Sequence, residues 1–307
     1  MKANQIDAYG GPEVLQLRDV IDPVAGAGEL VVDIYAASVN PVDWKIRNGA
    51  RKDNLFLDFP YTPGIDFSGV IRAAGDAVTE FGAGDGVFGV TPQTQQGAYA
   101  EAIAVDASLV ARKPAGLSHV DTAALALVGA TAIVSLDTVG LASGETILIH
   151  AAAGGVGGFA VQYAKHLGAT VYATASARNH DYVRDLGADE VIDYGREDFT
   201  QAVPKCDVVY DTIGGKVHEQ SFAVLKPGGR LAYVAAPPAG FSPPDNVTVK
   251  RPNVTRDPRH LDRISELYAA GAVKPMAVTE MALADAADAH MLSAEGHVRG
   301  KLVFKIR

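Results

Sequence analysis

Residues 152–157 read Ala152-Ala153-Gly154-Gly155-Val156-Gly157, after an apolar strand-like run and before a helix-like run of small residues. The first turn of a helix leaves backbone N–H groups without partners and carries a partial positive charge, so a phosphate is stabilised there if the backbone can approach it closely. Glycine allows that approach. In the pattern G-x-G-x-x-G the glycines serve a tight turn, contact with a pyrophosphate, and close packing of helix on strand. Here Ala152 takes the first place, while Gly154 and Gly157 keep the second and third. The strand before, the amphipathic helix after, and a second strand at the expected distance supply the context that the bare pattern lacks. The predicted ligand is a dinucleotide held by Gly154, Gly155, Val156 and Gly157, against the alternative of a purely structural turn.

An acidic residue about 20 positions further on would bind a free ribose 2′-hydroxyl. The segment there, "TASARN", contains no acid. Ser176 offers a hydroxyl, and Arg178 a bidentate fork suited to a phosphate. A carboxylate would repel a 2′-phosphate, so this pattern predicts NADPH rather than NADH; the plainer reading of Arg178 is a solvated charge at a helix start. His150, just before the turn, is expected to be a packed or hydrogen-bonded structural histidine. Asp85, in "GAGDGVFG", reads as a turn residue. Cys206 is the one cysteine, so no internal disulfide can form, and its strand-like setting "CDVVYD" suggests an inert thiol.

The elements that must position these residues change in texture along the chain. Residues 1–117 carry short β-type runs such as "ELVVDIYAASVN" and "GAYAEAIAV" broken by Gly, Pro and Asp, which predicts a compact, mostly antiparallel β domain. Residues 118–255 alternate strands ("ETILIHA", "TVYATA", "EVIDY", "DVVYDTI", "RLAYVAA") with single helical segments, which predicts right-handed crossovers and a parallel sheet covered on both faces. The Pro-rich "APPAGFSPPDNV" reads as a loop. In residues 256–307, Asp257 and Pro258 open a helix whose apolar face is Leu261, Ile264, Leu267 and Tyr268, and Gly271 can close it. The final "GKLVFKIR" is a strand expected to alternate its faces.

The bulk numbers set limits on function. The 307 residues allow two domains and a sizeable core, and 48% of them are hydrophobic. The net charge of −9 argues against a sequence-independent grip on nucleic acid or anionic lipid, leaving a local basic patch open. The run Ala123 to Leu136 falls short of the roughly 18 residues of a membrane span and is expected to be a buried helix. The amino terminus does not read as a secretory signal, and a reducing cytoplasm fits.

These features, with "ASVNPVDWKIRNG", "TPGIDFSGV", "LGADEVIDY" and "GHVRGKLVF", resemble the zinc-independent quinone oxidoreductases of the medium-chain dehydrogenase/reductase superfamily, from near residue 1 to residue 307. The resemblance implies a GroES-like catalytic domain, built from both ends of the chain around an NADPH-binding Rossmann domain, in a homodimer or homotetramer. It implies NADPH-dependent reduction of small-molecule quinones or conjugated enones and enals. Zinc-dependent members carry a Gly-His-Glu segment where this chain reads Gly64-Ile65-Asp66, and one cysteine cannot build the usual Cys/His sites. No metal is expected.

Without a Lewis acid the acceptor must be activated by its own conjugation, and donors aimed at its developing oxyanion lower the barrier. By resemblance Asn40 lies near nicotinamide and substrate, and Lys45 stands where many relatives have tyrosine. Two roles fit Lys45: binding the carbonyl oxygen or holding an NADPH phosphate. Asp43 pairs with Lys45 or caps a turn, and Trp44 is expected to pack, with stacking on a substrate as the alternative. By the same resemblance Thr131 lies near the nicotinamide, Tyr194 beside the 2′-phosphate, and Ile213 and Ala235 where backbone groups meet the cofactor. The leading expectation is a quinone reductase. The alternatives are an enone or alkenal reductase with the same machinery, and an NADPH-binding sensor without turnover.

Overall fold

A computed structural model describes residues 1–307. The chain divides into two compact units. The first comprises residues 1–127, 256–269 and 275–307; the second comprises residues 128–255 and 270–274.

The first unit opens with β1 (Lys2–Gln5), β2 (Gln16–Asp19), β3 (Glu29–Val39), α1 (Pro41–Arg47), β4 (Asp66–Ala74), β5 (Gly86–Val90), β6 (Ala102–Asp106) and β7 (Val110–Arg112). The helix α2 (His119–Val139) follows, and the division between units falls within it, after Leu127 rather than at residue 117. It spans 21 residues and is long and apolar enough to cross a membrane by length and composition. The expectation from the shorter uncharged run thus needs correcting on length. Its most apolar stretch is 72% buried inside the fold, as a core helix requires.

The second unit runs β8 (Thr146–Ile149), α3 (Gly155–His166), β9 (Thr170–Ala175), α4 (His180–Asp185), β10 (Glu190–Asp193), α5 (Phe199–Ala202), β11 (Cys206–Asp211), α6 (Gly215–Ser221), β12 (Leu225–Tyr233) and β13 (Thr248–Lys250). The chain then returns to the first unit with α7 (Pro258–Ala269), β14 (Val278–Met281), α8 (Ala286–Glu295) and β15 (Lys301–Lys305).

In the second unit six strands pair in the order β10-β9-β8-β11-β12-β13, all parallel. This is the doubly wound Rossmann order, and strand order reverses between β8 and β11, where ligands of such sheets sit outside the carboxyl ends. The sequence pattern supplied five of these strands. The sixth, β13, is only three residues long and follows the proline-rich loop, too short for periodicity to reveal.

The first unit holds a seven-stranded sheet, β14-β15-β3-β4-β5-β7 with β6 also on β3. All its pairings are antiparallel except β14 with β15. The last strand does not alternate between core and solvent. Lys301, Leu302, Val303 and Phe304 are all buried, because β15 is flanked on both edges and covered on both faces. The helix α7 buries Leu261, Ile264 and Leu267 as its spacing predicts, with Gly271 in a left-handed conformation after it.

Candidate active site

The glycine turn lies at the carboxyl end of β8. Gly154 is the N-cap of α3, so the N–H groups of Gly155, Val156 and Gly157 fall in the first turn and have no acceptor within the helix. A Cβ on Gly157 would overlap the Ala151 carbonyl, which explains glycine there through close helix–strand packing. A Cβ on Gly154 would meet only the Ala151 oxygen, at 3.4 Å, so the fold itself leaves room above that backbone. Ala151 has φ 51°, the one non-glycine residue with a left-handed backbone, at a cost of roughly 1–2 kcal/mol. Strain of this kind is retained where the surrounding structure fixes a turn for use.

The other predicted cofactor residues of this unit gather at the same edge of the sheet. Ser176 and Arg178 follow β9, Tyr194 follows β10, Ile213 follows β11, and Ala235 lies two residues beyond β12. Arg178, Tyr194 and Ile213 are exposed. The Ser176 hydroxyl accepts from Asn179 Nδ2 at 3.1 Å. The Ile213 N–H is already engaged by Asp211 Oδ1, at 2.8 Å. Thr131 sits inside α2, and its carbonyl accepts from the Ser135 hydroxyl. His150 is buried between Thr174 Oγ1 (3.1 Å) and Ser221 Oγ (3.0 Å), and burial drops its pKa to about 4. It is a neutral structural histidine. The Cys206 thiol is buried and pushed up to about 12, chiefly by burial.

The first unit positions Asn40 and Lys45 on α1. Asn40 is the N-cap, and Asp43 reaches back one turn so that its Oδ2 accepts from the Asn40 N–H at 2.7 Å. The Asn40 side chain points elsewhere. Its Oδ1 accepts from Lys301 Nζ at 2.6 Å, and its Nδ2 donates to Asp66 Oδ1 at 2.8 Å. Asp66 also accepts from the Ser38 hydroxyl at 2.8 Å and from the Leu127 N–H at 3.3 Å. Lys301 Nζ also donates to the Val39 carbonyl at 2.8 Å. A buried cation and a buried anion are thus joined through one amide, which locks that amide's orientation.

Burial dominates the electrostatics of this cluster. It raises the Asp66 pKa against the pull of Lys301, Ser38 and Asn40, and it lowers that of Lys301 against the field of Asp66 and Asp43. Asp43 is raised to about 7, first by burial and then by Asp66. The Tyr99 hydroxyl donates to Asp43 Oδ2 at 2.9 Å, and His290 Nε2 lies 3.2 Å from that hydroxyl. His290 drops to about 3 through burial, with Arg47 adding to it.

Lys45 is the contrasting residue. It is exposed, forms no hydrogen bond or ion pair, and lies 5.2 Å from the centre of the Trp44 ring. Of the two roles the sequence left open for Asp43, pairing with Lys45 or capping a turn, the second is seen: Asp43 turns inward to Asn40 and Tyr99. Sequence reasoning missed Lys301, Asp66, Tyr99 and His290. The available signals were a charged residue opening each of the strands "DFSGV" and "KLVF", where the apolar pattern demands a buried position.

Residues 26–115 match the family model of the alcohol dehydrogenase GroES-like domain, and residues 186–304 that of zinc-binding dehydrogenases. The chain is 37% identical over 287 residues to the 2-methylene-furan-3-one reductase of Solanum lycopersicum, covering 90% of this chain and 71% of the relative. It is 34% identical to the chloroplastic NADPH-dependent alkenal/one oxidoreductase of Arabidopsis thaliana, covering 99% and 79%. Among solved structures, the quinone oxidoreductase from Coxiella burnetii superposes with a TM-score of 0.87 at 34% identity, covering 100% of this chain and 99% of that one. The chain belongs to the quinone oxidoreductase family of the medium-chain dehydrogenase/reductase superfamily. Ile65, which by the sequence resemblance stands where zinc-dependent members carry a histidine, is packed in the core at 1% exposure. No three His, Cys, Asp or Glu side chains form a metal-ligating group.

Proposed function

We propose that this protein is an NADPH-dependent oxidoreductase that transfers hydride to a quinone without zinc. The observation that carries the cofactor is the edge of the parallel sheet. An anion-ready helix start follows β8, and Ser176 with Arg178, and no carboxylate, follows β9. When bound, NADPH supplies the hydride. Gly154, Gly155, Val156 and Gly157 hold its pyrophosphate. Ser176, Arg178 and Tyr194 take the 2′-phosphate, and Thr131, Ile213 and Ala235 line the remainder.

Hydride addition to a quinone or to the β-carbon of an enone leaves negative charge on oxygen, and a donor at that oxygen lowers the barrier. Asn40 is a weak candidate for direct donation, since both ends of its amide are spent on Lys301 and Asp66. It acts by fixing the start of α1. Lys45, on that helix with a free ammonium, is the donor to the acceptor oxygen. Lys45→Met is expected to lower kcat for quinone on the order of a hundredfold, while the Kd for NADPH from fluorescence titration changes little. A Kd that rises as kcat stays constant would move Lys45 to the cofactor phosphate.

A second reading, reduction of enones or alkenals, is favoured by the names of the tomato and Arabidopsis relatives and uses the same residues. An NADPH-binding sensor is the reading in which no acceptor is turned over. Placement in the cytoplasm and assembly as a homodimer or homotetramer complete the proposal, with the single, buried cysteine consistent with a reducing compartment.

A further inference from the structure

Arginine side chains in this protein are mostly paired: Arg72, Arg230 and Arg259 each sit on a carboxylate. Arg256 does not. It is half-buried at the start of α7, and its only hydrogen bond runs from Nε to the Thr91 carbonyl, at 3.0 Å. Its two Nη nitrogens have no protein partner. Burial lowers its pKa, so surrounding carboxylates do not offset the desolvation of its charge.

Its anchor places it beside the Asn40 cluster. Thr91 follows Val90, which pairs in register with Asp66 across β4 and β5, and the Thr91 N–H donates to the Ile65 carbonyl at 2.7 Å. The charges of Asp66 and Asp43 both act on Arg256, and so does that of Arg51, a like charge. Arg51 lies in the segment Lys45-Ile46-Arg47-Asn48-Gly49-Ala50-Arg51-Lys52, where Lys45, Arg51 and Lys52 are exposed and unpaired. In a chain of net charge −9 these are three exposed cations without an ion pair, with Asp53 the next residue along. A partly desolvated guanidinium held by Nε alone, with its fork free, is the arrangement that recognises an oxyanion able to present two oxygens side by side, as a carboxylate or a sulfonate does.

We infer that Arg256, with Arg51 reinforcing its field, forms an anion-binding subsite of the first unit that selects conjugated acceptors bearing a carboxylate or sulfonate. The inference rests on the oxidoreductase reading for its biological role. The Asp66 and Asp43 carboxylates are engaged by Ser38, Asn40 and Tyr99, and neither forms an ion pair with Arg256.

The test compares kcat/KM for 1,4-naphthoquinone-2-sulfonate and for 1,4-naphthoquinone, as a ratio within each enzyme so that intrinsic reactivity cancels. Arg256→Gln is expected to lower the sulfonate-to-neutral ratio about tenfold, and Arg256→Lys to lower it less, since one charge remains. Calorimetric binding of naphthalene-2-sulfonate, which needs no turnover, should weaken by a similar factor in Arg256→Gln. That arm holds even if the protein reduces no quinone, so it fails separately from the functional reading. An unchanged ratio with unchanged sulfonate binding overturns the subsite. A higher Kd for NADPH in Arg256→Gln with an unchanged ratio would assign the anion to the cofactor phosphates and overturn the substrate assignment.

Discussion

The two units build their sites from different materials. At the edge of the parallel sheet the candidate groups are backbone N–H groups, arranged by Gly154 and Gly157 within one turn of chain. Beneath α1 the candidate site rests on buried side chains, Ser38, Asn40, Asp66, Tyr99, His290 and Lys301, the first and last of them 263 positions apart in sequence (301 − 38). A backbone site constrains residue type locally, because only glycine allows the approach. A side-chain cluster constrains only the sum of burial, charge and hydrogen bonds, and any one member looks ordinary by itself.

The contrast breaks most visibly at Lys301. Lys301→Met leaves Asp66 as a buried anion without its cation, and is expected to cost about 3–5 kcal/mol of unfolding free energy, read by denaturant titration. The paired change Lys301→Met with Asp66→Asn removes both charges and should recover much of that loss. If the single substitution is silent, the cluster is not the electrostatic unit described above.

A smaller effect concerns Asp43. Its folded pKa of about 7 lies above that of an unfolded aspartate, so the stability it contributes is present below about pH 4 and is lost as pH rises to about 7. Asp43→Asn removes that loss. The stability of the variant relative to the parent should rise by on the order of 1 kcal/mol per pH unit between about pH 4 and 7, then level off. His290, lowered to about 3, acts with the opposite sign, gaining stability as pH rises from about 3 to 6.5, but it is common to both proteins and cancels in the difference. A difference that does not vary with pH contradicts the raised carboxyl.

The mildest change tests the side chains that share the sheet edge with the glycine turn. Arg178→Ala should raise the KM for NADPH about tenfold and leave that for NADH nearly unchanged, since only NADPH carries the 2′-phosphate. Equal effects on both cofactors would sink the assignment of Ser176 and Arg178.

What the sequence made legible follows the same division. The glycine turn, the alternating strands and helices, and the apolar face Leu261, Ile264 and Leu267 were readable, because each depends on a short local pattern. Thr174 and its neighbours were readable by what is missing there, an acid. The short strand β13 was not readable, since three residues carry no period. The inward turn of Asp43 was not readable either, because it depends on Tyr99, 56 positions away. Lys301 shows in the sequence only as a charge opening an apolar strand; its partner Asn40, 261 positions away, does not.

The central proposal is that the edge after β8 and β9 serves NADPH and that the protein uses it to reduce a conjugated acceptor. The most direct measurement is anaerobic oxidation of NADPH and NADH by the purified protein, with 1,4-benzoquinone and 2-cyclohexenone offered separately. Faster oxidation of NADPH than of NADH, with the quinone as the better acceptor, is the predicted result. Preference for NADH, or no oxidation with either acceptor, would contradict the account.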